Sequence, residues 1–452
     1  MVHTFTALEH NIALDVESGA VHLLDEIGMA VLRQIREPMP KDCPVEVIDA
    51  LSSKFAPVDI AETWRELYAL CIRGELFSSP AVYQPPGEGF LKALCLHVAH
   101  DCDLRCGYCF AGTGRYGGQR GIMSFETARD AIDLLVERSG NRRNLEIDFF
   151  GGEPLLALDT VKKTVDYARA HETGWGKNFR FTLTTNGLGL TDESIRFINQ
   201  EMDNAVLSMD GRRESHDALR KTTAGKGSYD TILPKLQKLV SGRGDRDYFV
   251  RGTFTARNPD FVDDLLHMAD LGFVHLSMEP VVLPETHPLA LREEHMDAVC
   301  GAYDRLLTIM RDRQDFTFFH FSVDLTQGPC VYKRTRGCGA GFEYAAVSPE
   351  GVLYPCHQFV GQEEYKLGRV GEPDWDSGLS HRFAELTIQK KTDCADCWAK
   401  YYCSGGCAAS NAHLCGRLDK PYEPSCRLQK KRLECAIALH AERACRLAPS
   451  SD

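Results

Sequence analysis

The sequence predicts an α/β protein built on a (β/α)6 parallel barrel, partial or complete, with a small strand-and-helix unit before it and a cysteine-organised segment after it. Three observations carry this. Six apolar strand candidates, Leu91–Val98, Leu145–Phe150, Phe179–Thr185, Ala205–Met209, Phe249–Thr255 and Val274–Met278, alternate with helix-patterned stretches, as crossovers between parallel strands require. Ahead of them, the pattern switches from short strands to three amphipathic helices. Past Gln314 it becomes irregular and rich in Gly and Cys, and no repeat with a period of roughly 20 to 50 residues is found. The expected boundaries are 1–82, 90–313 and 314–452.

In the first unit, strands are expected near Thr4–Ala7, Ile12–Asp15 and Ala20–Leu24, with turn signals at His10-Asn11 and Ser18-Gly19. The helix faces that follow include Ile27, Val31 and Ile35; Val45, Ile48 and Leu51; and Trp64, Leu67 and Leu70. This is a winged-helix-like arrangement. Pro80 to Gly89, PAVYQPPGEG, is the expected linker to the barrel.

A chain of 452 residues that is 43% hydrophobic and 26% charged has the material for two or three cores. Its net charge of -12 argues against nucleic acid and anionic membrane surfaces as partners. No apolar run reaches the roughly 18 residues of a membrane span. The start, MVHTFTALEHN, lacks the charged-then-apolar layout of a signal peptide, so a cytoplasmic protein is expected. In a reducing compartment, 18 cysteines point to metal rather than to disulfides.

Cys102, Cys106 and Cys109 stand within one short loop after the first barrel strand, three cysteines in eight residues. A three-ligand loop suits an iron–sulfur cluster with one open iron. Gly151-Gly152-Glu153-Pro154 follows the second strand, and Leu207-Ser208-Met209-Asp210-Gly211 ends the fourth, with Arg220 beyond. Together these resemble the signature of the radical S-adenosylmethionine (SAM) superfamily. The resemblance implies a 4Fe–4S cluster on Cys102, Cys106 and Cys109 whose open iron takes SAM, with Tyr108 as the aromatic residue before the third cysteine. It further implies that Gly151, Gly152, Glu153 and Pro154 face the SAM ammonium, and that Ser208 and Arg220 hold its carboxylate, for which the Arg fork is apt. The alternative for Arg220 is an ordinary surface charge.

The last third contains Cys338, Gly351, Cys356, the run Cys394-x2-Cys397-x5-Cys403-x3-Cys407, and Cys426. Spacing alone leaves a pair of zinc sites open, because Cys-x2-Cys serves both chemistries. The whole pattern resembles the SPASM extension of peptide-modifying radical SAM enzymes. By that resemblance Cys394, Cys397, Cys403 and Cys426 hold one auxiliary 4Fe–4S cluster, and Cys338, Cys356 and Cys407 another, which makes three clusters in all. Cys330 either completes the second set or is left out, leaving an iron open for a substrate thiolate. Cys43, Cys71, Cys95, Cys300, Cys435 and Cys445 lie in apolar patterns and are expected in the core. Cys415 has no assignment.

Asn11 to His22, Gly328 to Gly361 and Lys420 to Cys435 carry the most specific likeness, to the maturases of SCIFF peptides, ribosomal precursors with six cysteines in forty-five residues. Such enzymes install thioether bonds between a Cys sulfur and a carbon of an acceptor residue such as Thr. The likeness implies hydrogen abstraction by a deoxyadenosyl radical, closure of a sulfur held at or near an auxiliary cluster, and return of the remaining electron to a cluster. It implies as partners a short cysteine-rich precursor, its leader added as a strand to the first unit, and an electron donor such as flavodoxin or ferredoxin. Three alternatives stand beside it. Sulfatase-type formylglycine maturases carry an Asp where this chain has His357, after the residue matching Cys356. Maturases joining Cys to Asp or Glu share the same layout. A non-catalytic metal-binding scaffold belongs to another class.

Overall fold

The computed structural model describes residues 1–80, 89–325, 335–372 and 374–447. Strands β1 (Val2–Ala7), β2 (His10–Asp15) and β3 (Val21–Leu24) form an antiparallel sheet in that order. The first turn is not at His10-Asn11, which instead pair with Ala7 and Thr6. It is Leu8-Glu9, with φ of 48° and 66°. A two-residue hairpin asks for left-handed backbone at both central positions, and here two residues without the usual Gly or Asn supply it.

Three helices follow: Glu26–Leu32, capped by the Asp25 carboxylate on the Gly28 N–H, then Val45–Leu51 and Pro57–Ile72. Their core joins Val31, Leu32, Val47, Leu51, Ile60, Trp64 and Leu67 to Ala13 of β2. Val45, expected on the buried face, is 66% exposed, and Val47 is buried in its place. As the first residue of a seven-residue helix, Val45 has no turn behind it to cover.

This unit docks on the C-terminal part of the chain. The His3 ring stacks on Trp398 at 3.7 Å, and its Nε2 lies 2.9 Å from Glu434. His10 meets Glu442 at 2.6 Å. Val16 packs with Ile388, Cys394 and Tyr401, while the buried Glu17 carboxylate accepts from Lys400 and from the Tyr401 hydroxyl, each at 2.8 Å.

The main sheet is built from β4 (Ala93–Ala99), β6 (Asn144–Gly151), β7 (Asn178–Thr185), β8 (Asn204–Ser208), β10 (Asp247–Phe254), β11 (His275–Pro280) and β12 (Thr317–Phe318), all parallel; β5 (Leu104–Cys106) and β9 (Arg220–Thr222) form a separate antiparallel ladder. Each of the six expected strands starts and ends within two residues of the observed one. The barrel is partial. On the far edge of β4 the sheet continues through β13 (Tyr344–Val347), β14 (Val352–Tyr354) and β15 (Gly368–Arg369), with β13 parallel to β4. The segment after residue 314 is therefore joined to the barrel by main-chain hydrogen bonds.

Alternate strand residues face opposite sides. One row, including Ile147, Phe149, Phe181, Leu183, Leu207 and Val250, packs on the helices through Ile132, Val165, Ile198 and Leu236. The other row faces inward and carries the polar groups described below. The terminal helix Glu423–Leu447 lies along the helix Met296–Asp312. Cys95 and Cys435 are buried as expected; Cys445, near the end of the terminal helix, is exposed. The expected linker falls at residues 81–88, outside the described residues, apart from its ends.

Glu17 and Lys400 are both nearly buried, so removing one leaves the other as an uncompensated charge. Glu17→Ala should weaken docking of the first unit by about 3 kcal/mol. Amide exchange in β1 to β3 should quicken while exchange in β4 to β8 stays at the parent rate.

Candidate active site

The strand β4 ends at Ala99 and the cysteine loop begins at once. The Cys102 N–H donates to the Asp101 carboxylate at 2.9 Å, and the Cys102 sulfur lies 3.4 Å from the Leu104 N–H and 3.7 Å from Asn186 Nδ2. The loop is then pinned by β5, whose Cys106 stands opposite Arg220 of β9. Thus the ladder that fixes the second cysteine also delivers Arg220.

A cavity of about 250 Å³ opens at the C-terminal ends of the strands. Cys102, Cys106 and Cys109 line it together with Tyr108, Gly151, Gly152, Glu153, Pro154, Ser208 and Arg220. Chemistry on the loops after parallel strands is the barrel rule. All ten residues that the sequence singled out for this site lie on one surface.

The two glycines have a packing reason for being there. At Gly151, with φ of 125°, a Cβ would stand 2.4 Å from the Ala99 carbonyl; at Gly152 it would stand 2.1 Å from that of Asp101. Their absent side chains let this turn lie against the root of the cysteine loop, closed by Gly152 N–H to Ala99 O at 2.8 Å and Glu153 N–H to Asp101 O at 2.9 Å. Glu153 braces the turn. Its carboxylate accepts from the Leu155 N–H, the Thr185 hydroxyl and the Asn186 N–H at 3.1, 2.7 and 2.8 Å. Burial pushes this carboxyl up to about 7, against the pull of those donors.

Arg220 is no surface charge. It is 8% exposed, its Nε stands 3.0 Å from Asp210, and it lies over the Tyr108 ring at 5.5 Å. Burial works against its charge and Asp210 more than restores it. Asp210 also accepts from the Tyr108 hydroxyl at 2.6 Å and the Thr253 N–H at 3.0 Å. Sequence reasoning quoted Asp210 within a motif without a role; its position at the end of β8, with Arg220 ten residues on, was the available signal.

Cys394, Cys397, Cys403 and Cys426 line one cavity of about 70 Å³. Burial and the neighbouring Cys403 push the Cys426 thiol up to about 12. Cys338 and Cys407 line a larger cavity of about 710 Å³, which Cys403 also borders. Cys356 is buried, and burial, Cys407 and Cys338 together raise its thiol well above the usual range. Cys330 lies outside the described residues. Among the described residues no group of three or more His, Cys, Asp or Glu has the geometry to hold a single metal ion. A four-iron cluster is broader than one ion, and its ligands stand around it. Buried thiols with raised pKa stay protonated alone and become thiolates only on a metal, so the donor chemistry fits such clusters.

Sequence reasoning missed Arg251 and Glu279, which sit at inward positions of β10 and β11 and line three cavities: the first, the 710 Å³ one, and a third bordered by Cys403, Cys407 and Cys426. They mark where the three meet. His357 and Gln358, directly after Cys356, also line the first cavity.

Residues 96–244 match the Radical SAM superfamily. The chain is 24% identical to a cysteine-type anaerobic sulfatase-maturating enzyme of Clostridium novyi (strain NT) over 334 residues, which is 70% of this chain and 87% of that enzyme. Native anSMEcpe with bound AdoMet and Kp18Cys peptide has a similar structure, with a TM-score of 0.65 at 19% identity over 79% of this chain and 99% of that one. Streptococcus suis SuiB bound to precursor peptide SuiA gives 0.50 at 14% identity, over 90% and 94%. The segment 96–244 thus matches a radical SAM domain in sequence, and the sheet that carries it has the fold of these solved structures.

Proposed function

We propose that this chain is a radical SAM peptide maturase that installs intramolecular thioether cross-links, Cys sulfur to the carbon of an acceptor residue such as Thr, in a ribosomally made cysteine-rich precursor. The observation that carries this is the adjacency of Cys356 to the first cavity, whose wall includes His357 and Gln358. A sulfur held beside the set of Cys338, Cys356 and Cys407 would lie next to a carbon held in that cavity.

When bound, SAM and the first cluster supply an organic radical able to take a hydrogen atom from an unactivated carbon. Cys102, Cys106 and Cys109 would hold that cluster, and Ser208, Arg220 and the Gly151–Pro154 turn would hold SAM. Asp210 keeps Arg220 charged and oriented, and it fixes the Tyr108 ring beside it. Cys394, Cys397, Cys403 and Cys426 would hold one auxiliary cluster; Cys338, Cys356 and Cys407 would hold another, with Cys330 as its fourth ligand or with an iron open to the substrate sulfur. The net change replaces one C–H and one S–H bond by one C–S bond, with two hydrogens lost.

The first unit offers a three-stranded sheet whose outer strands β1 and β3 pair with no further strand among the described residues, an edge to which an extended leader can add a strand. Its support is the likeness in fold to a protein that binds a precursor peptide. A flavodoxin or ferredoxin is the expected electron donor. No described helix is long and apolar enough to cross a membrane.

A second reading is oxidation of a Cys or Ser to an aldehyde, favoured by the likeness to sulfatase-maturating enzymes. The position after Cys356 speaks against it, since His357 stands where those enzymes carry an Asp.

Mass spectrometry of a precursor treated with enzyme, SAM and reductant separates the two. Thioether formation keeps the Cys sulfur and removes two hydrogens per bridge; aldehyde formation at Cys expels the sulfur. A precursor shorn of its leader should be processed at least tenfold more slowly below saturation, and equal rates would remove the leader-binding role from the first unit.

Replacing Cys102, Cys106 and Cys109 together by Ala should abolish formation of deoxyadenosine while iron falls by only about one cluster of three. Continued SAM cleavage would refute the first site, and complete loss of iron would refute the auxiliary ones.

A further inference from the structure

Lys391 is a buried cation. It is 4% exposed, and among the described residues its ammonium donates to the carbonyls of Ser404, Gly405 and Gly406, at 3.4, 2.9 and 3.3 Å. Among the described residues it makes no ion pair with Asp or Glu. Carbonyl dipoles lessen the cost of taking an ammonium out of water, but a buried charge is retained where an opposite charge stands near.

The loop that receives it is shaped for it. Ser404, Gly405 and Gly406 have φ of 56°, 76° and 70°, so three successive residues are left-handed, one of them without the freedom of glycine. A Cβ at Gly405 would lie 2.4 Å from the Lys391 side chain. These three residues are the whole spacer between Cys403 and Cys407, one from each auxiliary set. Lys391 borders the 710 Å³ cavity with Cys338, Cys403 and Cys407. Burial opposes its charge, and Cys394, Cys403, Cys407 and Cys338 are the groups that favour it.

We propose that Lys391 is the counter-charge shared by both auxiliary iron–sulfur centres: a positioning residue that clasps the bridge between them and raises the reduction potential of each. This rests on the auxiliary clusters proposed above. A centre held by thiolates is anionic and becomes more so on reduction, so a fixed positive charge between two such centres favours their reduced forms. Net local charge is one of the levers that set cluster potentials.

The test is potentiometric titration, followed by paramagnetic resonance, in the full chain with Cys102, Cys106 and Cys109 changed to Ala, so that only the auxiliary signals remain. Lys391→Gln keeps a donor and removes the charge; Lys391→Arg keeps the charge. Gln should raise the oxidised-to-reduced ratio at fixed potential at least tenfold, a midpoint about 59 mV lower for a one-electron couple, while Arg stays within threefold of the parent. Unchanged midpoints in both variants, or equal shifts in both, would overturn the proposal. If Gln loses iron, full iron in Arg supports the counter-charge, and equal loss in Arg overturns it. A parent background without iron would remove the auxiliary centres, and this role with them, a result distinct from an unchanged midpoint.

Discussion

The ladder between β4 and β13 is the contact on which the rest of the molecule depends. All seven residues of β4 are buried, and the strand is hydrogen-bonded on both edges, to β6 on one and to β13 on the other. Its C-terminal end releases the loop of Cys102, Cys106 and Cys109. Its outer edge recruits Tyr344–Val347 after the whole barrel has been made, and the hairpin that follows brings Cys356 and His357 to the first cavity. One strand thus sets the distance between the cluster loop and the C-terminal cysteines. The pairing is parallel and far apart in sequence, the kind whose loop-closure entropy must be met before any contact rewards it.

The polar lining of the barrel follows the same economy of paired charges. Burial alone would raise the Glu279 carboxyl, yet His320, Arg251 and Arg432 hold it well below the usual carboxylate range, and the Ser277 hydroxyl donates to it at 2.8 Å. Arg220 with Asp210 is a second such group. Each is stable as a set and costly in part, because deleting one member strands the others without water. The first is centred on Arg251 of β10 and Glu279 of β11, the second on Asp210 just past β8 and Arg220 of β9.

Much of this was legible beforehand because it is local. The six barrel strands show in their apolar runs, while the residues that line the first cavity and the division of the cysteines into sets came from likeness to a family and not from spacing alone. What was not legible depends on meetings across the chain. Tyr344–Val347 is four residues long, and nothing in it announces β4 as its partner. Tyr108 and Asp210 lie 102 positions apart. Lys391 looks like one more surface lysine until the Ser404–Gly406 carbonyls close over it. The Leu8-Glu9 turn was missed for a local reason, since its left-handed residues carry none of the usual Gly or Asn signal.

The seat of the first unit has a consequence for assembly. His3, Val16 and Glu17 rest on Trp398, Lys400 and Tyr401, which belong to the loop spanning Cys394 to Cys403. Where those cysteines hold a cluster, the loop takes its shape from the metal. The loop that would carry that cluster is therefore also the seat of the first sheet, so a substitution at Trp398, Lys400 or Tyr401 bears on both at once.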